Sequence, residues 1–182
     1  ELRHYAPTLI SQTVVSGDMD EASNKGFRLI ADFIFGNNLA ADSEQATKIA
    51  MTAPVTVEPQ SSKIAMTAPV TVEPQSGDTR MAGARQWRIH FVMPSQYTLA
   101  NIPKPNNPAV TLHEVPGKYV VVHRYSGFNT EARVQEKTNE TVAWAQQQSL
   151  KVVGTPQLSR YDPPWTLPMF RRNEIMVEVA AP

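Results

Sequence analysis

Four histidines, His4, His90, His113 and His123, are the natural candidates for ligation or proton transfer. None stands at a paired spacing such as H-x-x-x-H, so a metal cluster is not expected. His123 alternates with Tyr119, Val121 and Tyr125 and reads as a satisfied sheet residue. Cysteine is absent, which removes disulfides, thiolate catalysis, iron–sulfur clusters and zinc–cysteine sites together. No Ser–His–Asp arrangement, phosphate loop or dinucleotide fingerprint is visible, and Gly17, Gly26 and Gly36 are too scattered to form a cradle. Glu174 lies between Asn173 and Ile175, close behind Arg171 and Arg172. By itself it reads as a carboxylate that caps a turn or pairs with one of those arginines.

The elements that must position these groups begin with a stretch that occurs twice. Residues 48–61 read KIAMTAPVTVEPQS, and residues 63–76 repeat them, a 15-residue tandem duplication. Two copies at so short a period make a local duplication and not a solenoid. In each copy apolar residues alternate (Ile49, Met51, Ala53, Val55 and Val57, then Ile64, Met66, Ala68, Val70 and Val72), the period of a half-buried strand. Met51 and Met66 read as core residues. Pro54 and Pro69 lack the donor a ladder needs and belong at an edge or a bulge. Two identical strands therefore compete for one slot, and the copy with the shorter connection is expected to take it. The surplus copy carries an apolar face, and burying each large side chain is worth roughly 1.5–3 kcal/mol. It is expected to extend a sheet edge, fold back as a hairpin, or cover a partner's edge in a swapped homodimer.

The 182 residues suffice for one domain with a real core. Lys plus Arg and Asp plus Glu both number 17, which argues against nucleic acid or an anionic membrane as partner, since both call for surplus cations. No apolar stretch reaches membrane-spanning length. Glu1-Leu2-Arg3-His4 has no signal-peptide layout, so the expectation is a cytoplasmic protein, with a trimmed or mature chain as the open alternative. The 15 prolines cluster at 94–116 and 156–168, where non-regular connections are expected.

Read in order, residues 5–15 form a strand, and Asp18 or Asp20 caps a helix over about 19–35. A strand covers 86–93, with Trp87, Ile89, Phe91 and Met93 on one side and Arg88, His90 and Val92 on the other. Residues 102–108 cross over without regular structure. The chain then starts again. Strand 118–125, a helix over about 130–148, and extended stretches at 152–161 and 173–179 repeat the first order. Ser126-Gly127 followed by Glu131-Ala132 echoes Ser16-Gly17 followed by Glu21-Ala22. The expected architecture is one domain over residues 1–182, in halves of about 1–95 and 110–182, with the duplicated segments at 48–61 and 63–76. Its class is α+β, two pseudo-symmetric βαββ halves joined in a distorted, barrel-like antiparallel sheet with two main helices. The first helix has a core stripe (Ala22, Gly26, Leu29, Ile30, Phe33) and a flanking apolar set (Phe27, Ala31, Ile34), wider than packing on one sheet needs. Either this helix is simply the more buried, or its surplus face lines a slot for a flat apolar ligand.

Several pieces now decide a resemblance. They are Gly26-Phe27-Arg28-Leu29-Ile30, Ile34-Phe35-Gly36-Asn37-Asn38, KIAMTAPV at 48–55 and again at 63–70, Tyr125-Ser126-Gly127, Arg160-Tyr161-Asp162-Pro163-Pro164-Trp165, and Arg171-Arg172-Asn173-Glu174. Together they resemble the SOUL haem-binding family, which carries one KIAMTAPV strand where this chain has two. The resemblance implies non-covalent binding of a tetrapyrrole, mainly haem, at the first helix and the loop before the last strand. Phe27, Ile30, Ala31 and Ile34 would supply the apolar slot, Arg28 a cation on the helix, and Trp165, Arg171 and Arg172 the contribution of the loop. Lys25 is the other helix cation, and Asp32 on a similar side would repel a propionate. No axial ligand is assigned. Related two-half domains place an acidic residue near a central pocket, so Glu174 is the one weak catalytic candidate, a buried carboxylate with a raised pKa acting as general acid or base. The leading expectation is a haem carrier, buffer or sensor. The alternatives are a small-molecule domain with weak hydrolytic or dechelating activity, and a scaffold that associates through the extra strand.

Overall fold

The computed structural model describes residues 1–40, 48–49, 61–62, 70–74, 84–162 and 165–182. In chain order the elements are β1 (Leu2–Tyr5), β2 (Thr8–Ser16), α1 (Met19–Ile34), β3 (Asn38–Leu39), β4 (Lys48–Ile49), β5 (Ser61–Ser62), β6 (Val70–Pro74), β7 (Gln86–Val92), β8 (Lys104–Pro105), β9 (Thr111–Val115), β10 (Lys118–Tyr125), α2 (Glu131–Gln147), β11 (Gln157–Arg160) and β12 (Asn173–Val179). A 3-10 turn occupies Pro168–Phe170.

Eight strands form one antiparallel sheet in the order β1-β10-β12-β11-β6-β7-β2-β9. The two halves of the sequence reading are present as β2-α1-β6-β7 and β10-α2-β11-β12. In each, the last strand lies between the other two, and the halves meet where β6 pairs β11. At that seam Thr71 Oγ1 and Ser159 Oγ are 3.2 Å apart. Gly17 and Gly127, the two glycines of the echo, both have positive φ, 137° and 105°, which only a residue without Cβ adopts cheaply.

The structure departs from the sequence expectation at the edges. The strand expected over 5–15 breaks at Ala6-Pro7. The piece before the break, β1, pairs β10 in the other half, while β9, for which the sequence reading named no strand, pairs β2. Residues 104–105, expected without regular structure, pair with β3. The stretch expected over 152–161 pairs only at β11 and at a single Val152–Val179 bridge. In the contested slot, β6 belongs to the second copy. Of the first copy β4 and Ser61 of β5 are described, and these two short strands pair parallel in a small separate ladder. Met51, Met66, Pro54 and Pro69 lie outside the described residues.

Both helices pack on one face of the sheet. Asp18 is the N-cap of α1, its Oδ1 accepting from Glu21 N–H at 2.8 Å; Thr130 does the same for α2. Trp87, Ile89 and Phe91 of β7 point toward α1 and join Ile30, Phe33, Ile34, Leu158, Ile175 and Val177 in the main core. The opposite face is concave. Residues from all eight strands of the sheet line one cavity of about 390 Å³ there. Eight strands laid flat would span about 33 Å, so the sheet must be rolled for all of them to reach one cavity.

The contact of α1 with β7 is tight at Gly26, where an added Cβ would lie 2.7 Å from Ile89 Cβ. Rotating the Ile89 side chain cannot relieve that clash. We expect Gly26→Ala to destabilise the fold by about 1–3 kcal/mol despite its better helix propensity, whereas exposed Asn24→Ala is expected to be neutral or slightly stabilising. Urea unfolding of the two variants checks the difference.

Candidate functional site

The connection from β11 to β12 carries the residues of the loop candidate, and its foot is built from the Arg171-Arg172-Asn173-Glu174 run. Tyr161 N–H donates to Arg172 O at 3.2 Å, and the Arg172 N–H donates to Asp162 Oδ2 at 2.6 Å. Asn173 donates to Gly127 O and accepts from Asn129, which in turn accepts from the Tyr125 hydroxyl. The loop is thereby latched to the turn before α2, a contact reinforced by Gly127 N–H to Pro168 O at 2.8 Å. Arg160 reaches Asp20 at the start of α1 at 3.1 Å.

On this rigid foot the loop presents apolar side chains to water. Trp165 is 82% exposed and Phe170 71%, with Leu167, Met169 and Phe128 also exposed. Arg171 joins the cluster: its Nε donates to Thr166 O at 2.7 Å and its guanidinium stands 5.9 Å from the Phe128 ring centroid. Isolated exposed apolar residues are ordinary, but several large ones on one loop and the turn latched to it make a candidate binding surface.

The helix candidates divide. Ile30 and Ile34 are fully buried and Ala31 nearly so; Ile30 and Ile34 belong to the core, so the surplus apolar width of α1 at these positions serves packing and leaves no side-chain surface for a ring to touch. Phe27, 38% exposed and tilted against Phe91 at 5.6 Å, and Arg28 are at the surface. Arg172 is partly exposed but already engaged. It holds Glu174 and lies 4.1 Å over the Tyr161 ring.

Glu174 is on the concave side of β12 with no exposed surface. Arg3 of β1 donates to both carboxylate oxygens, at 3.0 and 3.2 Å, Tyr161 donates at 2.7 Å, and Arg172 donates twice to Oε1 at 3.0 and 2.7 Å. Burial alone would push its pKa up, but the hydrogen bonds from Arg3, Tyr161 and Arg172 outweigh that and hold it below the usual carboxylate range. This corrects the raised pKa expected from burial. A carboxylate whose lone pairs are occupied and whose proton affinity is lowered is a poor general acid or base at neutral pH. The Tyr161 phenol is pushed above its usual range by burial and by its bond to Glu174.

Of the histidines, His4 stacks on Tyr119 at 4.6 Å, His113 shares a 2.9 Å hydrogen bond with Thr111, and His123 Nδ1 lies 3.6 Å from Glu140. His90 lines the concave cavity.

The sequence reading missed Arg3, Phe128, Leu167, Met169 and Phe170. The one signal for the last three was the density of apolar letters in residues 165–170, WTLPMF, without helix or strand period.

Because folding lowers the Glu174 pKa, its stabilising contribution is full above the unfolded value of about 4.3 and is lost as pH falls through the folded one. Glu174→Gln removes the counter-charge of Arg172 and leaves Arg3 with Glu1 as its remaining carboxylate. We expect it to cost on the order of 3 kcal/mol at neutral pH, with the gap from wild type narrowing below about pH 4; urea unfolding across that range checks both.

No curated protein matches the chain in sequence. Among solved structures, the C-terminal domain of EcmrR is similar with a TM-score of 0.62 at 12% identity, over 100% of this chain and 97% of that one. EcmrR in its DNA complex gives 0.68 at 11% identity, over 100% of this chain and 57% of that one. A hydrolase from Listeria innocua gives 0.59 at 13% identity, over 99% and 92%. At such identities the likeness is one of fold. Sequence carries the assignment further: the profile described as SOUL heme-binding protein matches residues 1–178, from β1 to the last residues of β12, and the chain belongs to that tetrapyrrole-binding family.

Proposed function

We propose that the chain is a haem carrier or buffer whose ligand rests on the exposed loop cluster. The observation that supports this reading is the group formed by Phe128, Trp165, Leu167, Met169 and Phe170, exposed on a hydrogen-bonded foot. These side chains suit a flat apolar ring, and Arg171 at the same place suits a carboxylate at its rim. Phe27 and Arg28 are the surface positions of α1 able to contribute. Haem, when bound, would supply the iron chemistry of the complex. The protein would cover apolar ring area, neutralise propionate charge and hold the loop in place. Burying a side chain of this size is worth roughly 1.5–3 kcal/mol, enough for several of them to retain a porphyrin without a strong iron ligand. Exposure of the cluster suits loading and release. Glu174, saturated by its donors, supports binding over hydrolysis as the activity of the fold.

Haemin titration followed by Soret absorbance and tryptophan quenching tests the reading. The double variant Trp165→Ala, Phe170→Ala is expected to weaken binding by at least about tenfold, with the far-UV spectrum unchanged. Unchanged affinity in that variant, or no Soret change with the wild type, would overturn it.

A further inference from the structure

The pseudo-twofold pairing of the halves sets His90 against Glu174. One row of the sheet runs from His90 to Thr71, Ser159 and Glu174 across β7, β6, β11 and β12. Thr71 and Ser159 flank the seam, so His90 occupies in the first half the place that Glu174 occupies in the second. Arg88 precedes His90 by two positions as Arg172 precedes Glu174.

The two places differ in what fills them. Glu174 is saturated by Arg3, Tyr161 and Arg172. His90 Nδ1 is buried and has no hydrogen-bond partner among the described residues, although its side chain lines the cavity. A buried polar nitrogen left without a partner is costly, and a ligand that supplies the partner removes that cost. Of the other charged groups here, Lys118 pairs with Glu178 at 3.3 Å. Arg3 is shared between Glu174 and Glu1, and Arg172 holds Glu174, so these arginines are balanced; the charges felt at the His90 ring are those of Lys118 and Arg88, both positive. Burial, then Lys118 and Arg88, push the His90 pKa down to about 3, so at neutral pH the ring is uncharged and can donate one N–H. The rest of the wall is mixed: Ile10, Val92, Val115 and Met176 with the rings of Tyr5 and Tyr161 form its apolar part, beside polar residues such as Gln12, Thr71 and Gln157.

We infer that the concave face of the sheet is a second binding site, centred on His90, for a small organic anion with an aromatic body. The carboxylate accepts from His90 in the positive field of the cavity, and the ring lies against the Met176 and tyrosine wall. A cavity of about 390 Å³ is in the range that encloses a small ligand. This site is separate from the loop cluster and does not depend on haem.

Calorimetric titration with naphthalene-2-carboxylate and with its neutral carboxamide tests the site, with the histidine ring nitrogens followed by NMR. The carboxylate is expected to bind saturably, to shift the His90 Nδ1 resonance, and to bind at least about tenfold more tightly than the amide. His90→Phe keeps the ring shape and removes the unpartnered nitrogen, so it is expected to fold at least as well as wild type while losing about tenfold in affinity. Saturating haemin should leave carboxylate binding unchanged. Absence of saturable binding, equal affinity for the amide, equal affinity in a folded His90→Phe, or displacement by haemin would each overturn the inference.

Discussion

Two residues, Ala6 and Pro7, constrain the shape of the sheet more than any others. The strand before them, β1, lies at one edge on β10, and the strand after them, β2, lies next to the far edge. A link this short spans at most about 10 Å, against the roughly 33 Å that a flat eight-stranded sheet would measure. The sheet therefore has to roll until its edges nearly meet. Gly117 shows how close they come: a Cβ there would stand 3.1 Å from Tyr5 O and 3.4 Å from Pro7 Cδ. The reciprocal exchange, β1 onto the second half and β9 onto the first, ties the halves from both ends, so the roll is held by backbone ladders as well as by packing.

Rolling divides the chemistry of the two faces. The convex face meets α1 and α2 and is apolar, with Trp87, Ile89, Phe91, Ile175 and Val177 buried. The concave face cannot be filled by a helix, and the sequence places Arg88, His90, Lys118, Glu174 and Glu178 on it. A buried ion pair seldom adds net stability over an apolar replacement. Its value here is geometric: Arg3 is on β1 and Glu174 is on β12, so the pair fixes the exchanged strand against the sheet's interior two ladders away. The same carboxylate orders Tyr161 and Arg172, the first and last residues of the loop foot. The position of the exposed cluster thus follows from charge inside the roll.

How much of this was legible in the sequence depended on the range of the interaction. Local periodicity gave the helices, the strand at 118–125 and the strand at 173–179 nearly to the residue, and Asp18 announced the start of α1. The Ser-Gly echo marked the two halves because both need a left-handed glycine at the same turn. Edge exchange was not legible, since nothing near β1 encodes that the partner of Leu2 is Val121, in the other half of the chain. The width of the apolar arc on α1 was visible, but not its use: periodicity cannot tell a residue packed on a sheet from one facing a ligand, and Ile30 and Ile34 proved to be packed. Trp165 was legible through its motif. Phe128, in the turn before α2, and Phe170, in the proline-rich loop, were not, because neither connection has a period to betray which side chains it exposes. Glu174 was found by position, and the error in its protonation came from Arg3, a partner remote in sequence.

The duplication shows where such reading reaches its limit. Residues 70–74 occupy the slot between β11 and β7, and residues 55–59 spell the same VTVEP. The described side chains that fill the slot, Thr71 and Val72, would be replaced by Thr56 and Val57, identical in type. Connection length does not decide between them. Pairing through 70–74 leaves connections 40–69 and 75–85; pairing through 55–59 would leave 40–54 and 60–85. One shortens as the other lengthens, and closure entropy grows only with the logarithm of length, so the two arrangements differ by well under about 0.5 kcal/mol on that count. The expectation that the shorter connection wins has no force when each copy has one short and one long side. What distinguishes the copies is the rest of the chain around them, since the slot itself, with Thr71 against Ser159 and Val72 against Leu158, makes the same demand of either.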